Sequence, residues 1–267
     1  MYTIDDLDTP SLIVDLDIME SNLARMQNYC NQYRIGLRPH IKTHKIPALA
    51  QAQMDLGAVG IACQKLGEAE VMADHGLVDI MIPYNILGQL KLERLAALAR
   101  RAHITVSVDS VEVARPMGEY LHHQGLNLRT VIELTSELNR CGVTSAGSAL
   151  DLAREIDRIR GLEFQGVMVY PSSMQSMQLV TETVDLLRAN SLPVDIVSGG
   201  GSPTAFHSHE FQGLTEIRAG TYVFNDGSYI RKGVCTLEQC ALRVITTVIS
   251  APTADRVLSV SVSDSEG

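Results

Sequence analysis

Short apolar, β-branched segments alternate with amphipathic segments along nearly the whole chain, and this alternation restricts the fold more than any other feature. Eight of these segments predict buried strands, and the stretches between them carry apolar residues at helical spacing, such as Leu90, Leu95 and Leu98. Strands separated by helices at intervals of about 20 to 30 residues predict an α/β fold, a closed parallel (β/α)8 barrel of the TIM type. An open, doubly wound sheet is the alternative, because the pattern alone does not show closure.

The predicted elements cover most of the chain. Barrel strands are expected at residues 37–42, 59–64, 79–84, 104–109, 129–135, 164–170, 194–199 and 216–224. Helices are expected at residues 46–56, 66–75, 88–102, 111–124, 146–160 and 174–190. A strand at 11–16 and a helix at 17–33 precede the barrel strands, and further strands at 239–250 and 257–262 follow them.

We assign the barrel to residues 17–235. Residues 1–16 and 236–267 would then supply strands of a second, β-rich C-terminal domain. Because the roughly 30 to 40 residues after the barrel are too few for a self-sufficient β domain, we expect this second domain to be incomplete.

Composition and charge argue against several classes of protein. The net charge of −9 argues against a nucleic-acid partner, because neutralising phosphates requires a basic face. No run of about 18 apolar residues predicts a membrane span, and the acidic N-terminus does not resemble a signal peptide. Five cysteines without CxxC spacing predict reduced thiols in a soluble, cytoplasmic protein rather than disulfides or a zinc site.

A basic octapeptide at the end of the first predicted barrel strand carries the strongest chemical signal: Arg38-Pro39-His40-Ile41-Lys42-Thr43-His44-Lys45. A lysine at this point can lie at the mouth of a pocket, and nearby cations lower its pKa so that the free amine can condense with a carbonyl. We expect Arg38, His40, His44 and Lys45 to supply those cations around Lys42. The alternative is a basic loop on the surface.

Polar residues follow almost every predicted barrel strand, where barrel enzymes place their working groups. They are Lys42, Gln64, Tyr84, Asp109, the loop 135–140, Tyr170, the run 199–204 and residues 218–222. The run Gly199-Gly200-Gly201-Ser202-Pro203-Thr204 lets backbone N–H groups approach an anion, and a barrel's phosphate site commonly uses the loops after strands seven and eight. A phosphate site is therefore predicted there, with a flexible turn as the alternative. A P-loop is excluded because no Gly-Lys-Ser/Thr follows the glycines.

The remaining polar candidates give weaker signals. Arg140 lies just beyond the fifth strand and is by itself compatible with a surface position. His207 and His209 have metal-ligand spacing, but without a third ligand nearby we interpret them as surface histidines. His122 and His123 end a polar helix and are interpreted as solvated.

Four motifs occur in an order that resembles one known enzyme group. They are residues 38–45, the Asn139-Arg140-Cys141-Gly142 loop, the run 199–204 and residues 217–222. Together they resemble the D-threonine aldolase and D-serine dehydratase group of pyridoxal-phosphate enzymes, which have an alanine-racemase-like N-terminal barrel (fold type III). The resemblance extends from about residue 5 to about residue 255.

The resemblance implies pyridoxal 5'-phosphate as the cofactor. Lys42 resembles the lysine that binds this cofactor as a Schiff base. The run Gly199, Gly200, Gly201 and Ser202, with Gly220 and Thr221, would hold its phosphate.

The resemblance also assigns residues around the cofactor ring. Arg140 resembles the arginine that faces the pyridine nitrogen, where a cation keeps that nitrogen unprotonated. Tyr170 resembles a tyrosine beside the ring and the substrate, and Gln64 would bind the hydroxyl side of the cofactor. The implied catalytic residues are Lys42, Tyr170 and His40.

The implied reaction acts on a small-molecule D-amino acid substrate with a β-hydroxyl group. A base and a divalent metal (Mn, Zn or Mg) would drive either retro-aldol cleavage to glycine and an aldehyde or elimination to a 2-oxo acid and ammonia. The metal ligands of this group lie in the C-terminal β domain, beyond residue 267, so no metal ligand is assigned in this chain. The group also builds its sites across a homodimer.

D-threonine aldolase chemistry is the first hypothesis, with a D-serine dehydratase-like ammonia-lyase as the alternative. A non-catalytic pyridoxal-phosphate binder, lacking the metal-site domain, is a second reading of the same motifs. A cofactor-free aldolase that uses Lys42 directly on a sugar phosphate is a third. A degenerate fragment that misfolds is a fourth.

Overall fold

The structure is a computed structural model that describes residues 3–260. The chain divides into two compact units, one formed by residues 24–220 and the other by the described parts of residues 1–23 and 221–267. Within residues 3–260, every helix is too short or too polar to cross a lipid bilayer.

The larger unit is built on one sheet of eight parallel strands, hydrogen-bonded in the order β2–β9–β8–β7–β6–β5–β4–β3. These strands are β2 (Gly36–Leu37), β3 (Ile61–Ala62), β4 (Asp79–Ile82), β5 (His103–Val108), β6 (Leu128–Leu134), β7 (Leu162–Val169), β8 (Ile196–Gly200) and β9 (Glu216–Arg218).

Hydrogen bonds between the two ends of this sheet close it into a ring. The backbone N–H of Val59 donates to Leu37 at 2.9 Å, and that of Ala62 donates to Pro39 at 2.8 Å. His40 and Ala62 also form an isolated parallel bridge. The predicted (β/α)8 barrel is thereby confirmed, and the open doubly wound sheet is excluded.

Helices alternate with the barrel strands as the periodicity predicted. They are α1 (Leu16–Tyr33), α2 (Pro47–Asp55), α3 (Leu66–Asp74), α4 (Gln89–Ala99), α5 (Val111–His123), α6 (Ala146–Arg158) and α7 (Met174–Ala189). Serines fix the starts of two of them, since Ser145 accepts a hydrogen bond from the backbone of Ser148 and Ser173 accepts one from Ser176.

Apolar residues alternate between two faces of the barrel strands. Ile80 and Ile82 of β4 join the large apolar layer that the helices pack against. Met81, between them, belongs to a small separate cluster with Ala62, Val131 and Met168. Because successive strand residues point to opposite faces, this small cluster fills the interior of the ring.

Several predicted barrel strands are too long, among them 59–64, where β3 covers only Ile61–Ala62; the first and the last show the physical reason. The first was expected at 37–42, but Pro39 has no N–H to donate to a ladder, and the chain turns into a 3-10 helix over Ile41–Thr43. The last was expected at 216–224, but β9 ends at Arg218 because the N–H of Gly220 donates to the Ser202 hydroxyl at 3.1 Å. Both chain segments therefore leave the sheet early and form loops at its C-terminal end.

The smaller unit contains two short antiparallel sheets and a one-turn helix. Its elements are β1 (Ser11–Val14), α8 (Gly227–Arg231), β10 (Leu242–Ile245), β11 (Val248–Thr253) and β12 (Arg256–Ser259). The single strand predicted at 239–250 is wrong, because its first half pairs with β1 and its second half pairs with β12. Of the strand predicted at 257–262, residues 261–262 lie outside the described residues.

Alanine substitutions at two glycines, one crowded and one open, test the packing of the barrel. Gly166 has a φ of +139°, and a Cβ there would lie 2.0 Å from the carbonyl oxygen of Ile196. Gly166→Ala should therefore lower the free energy of unfolding by about 2–4 kcal/mol, measured by urea titration. The matched control is Gly147→Ala in α6, where a Cβ meets nothing within 4 Å and alanine should raise stability by about 0.5–1 kcal/mol. Equal effects of the two changes would contradict this account.

Candidate active site

A pocket opens at the C-terminal ends of the barrel strands, within the larger unit. It is lined by His40, Lys42, Gln64, Pro83, Arg140, Met168, Tyr170 and Arg218. The lining residues come from β7 and β9 and from the segments that follow β2, β3, β4, β6 and β7. The barrel thus gathers distant parts of the sequence around one cavity.

Lys42 is the amine of this pocket. It lies in the 3-10 helix Ile41–Thr43, whose start is capped by the His40 ring nitrogen Nδ1 accepting from the Lys42 N–H at 3.4 Å. The Lys42 Nζ atom lies 5.5 Å from the centre of the Tyr170 ring. Burial lowers the pKa of Lys42 from its ordinary value, and the charges of Arg140 and Arg218 lower it further. More of this amine is therefore uncharged near neutral pH than for an ordinary lysine.

The cations that act on Lys42 are not those expected from the octapeptide. Arg38 is buried and paired with Glu216 and Asp79, while Lys45 is exposed and lies 3.4 Å from Glu68. His44 Nδ1 accepts from the backbone N–H of Ile46. Proximity in sequence was misleading, because the chain leaves the sheet after Leu37 and turns at the 3-10 helix Ile41–Thr43, so these side chains point in different directions.

His40 is buried and uncharged at neutral pH. Burial lowers its pKa to about 3, aided by the charges of Lys42 and Arg218, and a hydrogen bond that the imidazole donates to the Gln64 side chain opposes this only in part. The structure thus places Gln64 against His40, while the Gln64 backbone N–H donates to Glu68 at 2.8 Å. His40 and Gln64 form one wall of the pocket.

Arg218 is the charged pocket residue to which the sequence analysis assigned no role. Only 4% of it is exposed, its Nη2 donates to the Val169 carbonyl at 2.9 Å, and its Nη1 donates to the Ser198 hydroxyl. Burial lowers the pKa of Arg218 to about 10, so it keeps its charge at neutral pH. The sequence did offer a signal for this role, because Arg218 is a charged residue at the end of a buried strand. Such residues are rarely buried unless they have a partner.

Arg140 lies at the rim of the same pocket. Its side chain is 58% exposed, its Nη2 lies 3.8 Å from Glu133 Oε1, and its Cζ lies 5.4 Å from the centre of the Tyr170 ring. Burial raises the pKa of Glu133, whose carboxylate also accepts from the Cys141 thiol at 3.1 Å. Arg140 is therefore a solvent-accessible cation facing one side of Tyr170.

The glycine run brings the backbone of β8 close to pocket side chains. A Cβ on Gly200 would lie 2.9 Å from the Tyr170 ring and 3.1 Å from Arg218 Nη2, so only glycine permits both to approach. Gly201 has a φ of +112°, which turns the chain into the 3-10 helix Ser202–Glu210.

The Ser202 hydroxyl accepts from the N–H of Gly220 at 3.1 Å, which joins the loops after β8 and β9. Gly199 is also constrained, because a Cβ there would lie 2.9 Å from the Ser172 hydroxyl. Thr221 begins the 3-10 helix Thr221–Val223, which belongs to the smaller unit.

The other polar candidates form contacts outside this pocket. His207 pairs with Glu210 at 2.8 Å, whereas His209 bonds the Tyr29 hydroxyl at 2.8 Å and stacks on Tyr33 with ring centres 4.0 Å apart. Asp109 accepts from the side chain of Asn85 at 2.8 Å. In the part of the chain that the structure describes, three or more His, Cys, Asp or Glu side chains are nowhere grouped so as to hold a metal ion.

Comparison with known proteins places the chain among related sequences and structures. The family described as alanine racemase, N-terminal domain, matches residues 14–227. A D-threonine aldolase of Arthrobacter sp. is 34% identical over 94% of this chain and 71% of its own length. D-threo-3-hydroxyaspartate dehydratase of Delftia sp. (strain HT23) is 36% identical over 91% of this chain and 68% of its own length. The crystal structure of D-threonine aldolase from Filomicrobium marinum matches with a TM-score of 0.89 and 33% identity, covering 96% of this chain and 74% of that one.

A parallel barrel with a lysine pocket at its C-terminal strand ends defines the class of protein, and the matches define the family. The chain belongs to the alanine racemase N-terminal domain family. Its relatives named above are an aldolase and a dehydratase, so it falls within a group of lyases, as the resemblance implied.

The buried histidine predicts a pH dependence of stability. His40 has an ordinary pKa of 6.5 when unfolded but about 3 when folded, so between these values the unfolded chain binds more protons. The free energy of unfolding should therefore fall as the pH is lowered through this window, with His40 contributing up to about 1.4 kcal/mol per pH unit. Denaturant titrations between pH 7 and pH 4 should show that the free energy of unfolding falls less steeply in His40→Gln than in the wild-type chain. The exposed His123→Gln should keep the wild-type slope, and an unchanged slope in His40→Gln would refute the assignment.

Proposed function

We propose that this chain is a pyridoxal-phosphate-dependent lyase acting on β-hydroxy D-amino acids. The observation that carries the proposal is the environment of Lys42, an amine of lowered pKa in a pocket shared with Arg140, Arg218 and Tyr170. Such an amine is suited to attack a carbonyl carbon with release of water. The named activities of the relatives, aldol cleavage and dehydration, support the same class of reaction.

The chemistry of the pocket residues fits pyridoxal phosphate. Lys42 offers an amine to the aldehyde, and two arginines offer positive charge to an anionic cofactor. The loops after β8 and β9, joined by the Ser202–Gly220 hydrogen bond, lie where barrels commonly form phosphate sites. When bound, the cofactor supplies a conjugated ring that accepts the electron pair released at the substrate Cα.

The side chains around Lys42 have separable roles in this proposal. Arg218 keeps a fixed positive charge in the interior of the pocket, and Arg140 presents a second one at its rim. Tyr170 supplies an aromatic face 5.5 Å from the Lys42 amine, against which a flat ring can pack. His40 is neutral and offers hydrogen bonding without adding charge. None of these side chains is assigned to a metal ion.

D-threonine is the first candidate substrate, giving glycine and acetaldehyde by cleavage of the Cα–Cβ bond. Wild-type chain mixed with pyridoxal phosphate should develop a visible absorption band, and Lys42→Ala should abolish the band and reduce turnover by about a thousandfold or more. Lys45→Ala, an exposed lysine of the same octapeptide, is the matched control and should retain the band.

The turnover assay should be run with added manganese, using D-threonine and L-threonine in parallel. Glycine and acetaldehyde report aldol cleavage, whereas a 2-oxo acid and ammonia report elimination, as in a D-serine dehydratase-like enzyme. A band that persists in Lys42→Ala would refute the role of Lys42. A band without any product from D-amino acids would instead support a non-catalytic binder.

A groove beside the pocket favours a second candidate substrate, one whose side chain carries a carboxylate. Gln64 lines both the pocket and this groove, which is otherwise lined by Lys45, Lys65, Leu66, Gly67, Glu68, Tyr84, Lys91 and Arg94. Glu68 and Glu70 pair with two of the cations, Lys45 and Arg94. Within residues 3–260, Lys65 and Lys91 form no ion pair, and Lys91 lies 3.5 Å from the Tyr84 hydroxyl. The groove therefore keeps an excess of positive charge.

This candidate is tested by comparing D-threo-3-hydroxyaspartate with D-threonine. In the double variant Lys65→Gln/Lys91→Gln, kcat/KM for the dicarboxylate should fall about three- to tenfold, because each charge contact near the surface contributes up to about 1 kcal/mol. The value for D-threonine should stay the same. Arg154→Gln, a change at an exposed cation of α6, is the control and should affect neither substrate. An equal fall for both substrates would contradict this specificity.

A further inference from the structure

A continuous chain of polar side chains crosses the interior of the barrel. In order of contact, its members are Arg129, Asp79, Arg38, Glu216, Ser198 and Arg218. The four that run from Arg38 to Arg218 are each no more than 5% exposed. We call this set the interior ladder. Its members come from β4, β6, β8 and β9 and from the residue after β2.

The ladder is anchored at the N-terminal end of the barrel. Arg38 Nε donates to both carboxylate oxygens of Glu216, at 3.0 and 2.8 Å, and its Nη1 donates to Asp79 Oδ1 at 2.6 Å. Asp79 Oδ2 accepts from Arg129 Nη2 at 3.0 Å. Each buried charge thus has a partner of opposite sign, which is the condition for burying it at all.

Ser198 connects this anchor to the pocket. Its hydroxyl donates to Glu216 Oε1 at 2.7 Å and accepts from Arg218 Nη1. A serine hydroxyl has one proton, so once that proton is given to the carboxylate the oxygen can only accept from the guanidinium. The carboxylate therefore fixes the direction of the hydrogen bond that holds Arg218.

The orientation of Arg218 matters because its charge acts on the reactive lysine. Arg218 lines the pocket with Lys42 and lowers the pKa of that amine, after burial and Arg140. It is held by Ser198 on one side and by the Val169 carbonyl, at 2.9 Å, on the other. Loss of either contact would let the guanidinium turn away from Lys42 without removing its charge from the protein.

We propose that Ser198 is a positioning residue: it links Glu216, which is held by Arg38, to Arg218, and it thereby sets the reactivity of Lys42. This inference rests on the proposed role of Lys42 as the amine that takes a carbonyl cofactor. Ser198 itself does not line the pocket. Its effect is exerted through Arg218.

The test measures the reactivity of Lys42 in the chain without cofactor. Pyridoxal is added between pH 6 and pH 10, the product is trapped with borohydride, and the fraction labelled at Lys42 is measured by peptide mass spectrometry. In Ser198→Ala the midpoint of the labelling profile should rise by about half a pH unit or more, because a displaced cation no longer disfavours protonation of the amine. An unfolded chain would also label at a raised midpoint, because its Lys42 is then an ordinary exposed amine. Circular dichroism under the labelling conditions must therefore show that Ser198→Ala is folded.

Two further variants control for packing. Ser107→Ala removes another fully buried serine hydroxyl of the same barrel, on β5, which has no hydrogen-bond partner among the described residues, and should leave the midpoint unchanged. Ser198→Thr keeps the hydroxyl and should restore the wild-type midpoint. If Ser198→Ala fails to fold, Ser198→Cys, whose thiol is a weak acceptor, should show the same upward shift.

The outcomes separate this inference from the proposed function. Suppose that pyridoxal labels Lys42 in the wild-type chain and that folded Ser198→Ala or Ser198→Cys has the same midpoint. That result would overturn the positioning role of Ser198 alone. A shift of the same size in Ser198→Thr would also overturn it, since the hydroxyl would then be irrelevant. Failure of pyridoxal to label Lys42 in the wild-type chain would overturn both proposals.

Discussion

The buried pair between Arg38 and Glu216 is the interaction on which the rest of the barrel interior depends. The two residues belong to neighbouring segments, since β2 pairs with β9, and they meet inside the ring, where water cannot solvate either charge. Their neighbours are arranged around this pair: a Cβ on Gly60 would lie 2.2 Å from Arg38 Nη1, so that position requires glycine. Removing one partner of such a pair typically costs about 3–5 kcal/mol, because the other charge is left buried and alone.

The electrostatics of the pocket follow from that arrangement. A buried arginine stays charged only where acidic groups offset its desolvation, and Glu216 and Glu133 do this for Arg218. Burial, Arg140 at the rim and the retained charge of Arg218 together make Lys42 a weaker base than an ordinary lysine. Burial also keeps His40 neutral, and the charges of Lys42 and Arg218 add to its effect. One ion pair deep in the barrel thus affects the protonation of two groups at its mouth.

Prediction from sequence succeeded where a signal is local and periodic. The alternation of strands and helices identified every barrel strand. It failed where a contact joins distant segments. Strand ends were misplaced because hydrogen bonds such as that between Gly220 and Ser202 cannot be inferred from either residue alone. Arg218 was named at the end of the last strand but given no role, because its partners, Ser198 and Val169, lie on other strands.

The order of residues along the chain was enough to predict the fold class, the lysine at the end of the first barrel segment and the family to which the chain belongs. These depend on periodicity and on residue types at short spacing, which are properties of the chain before it folds. The cations that surround Lys42 were visible only in the folded chain, where Arg140 and Arg218 lie in place of the sequence neighbours expected there. Electrostatic interaction depends on distance through space and on burial, and only closure of the barrel sets both.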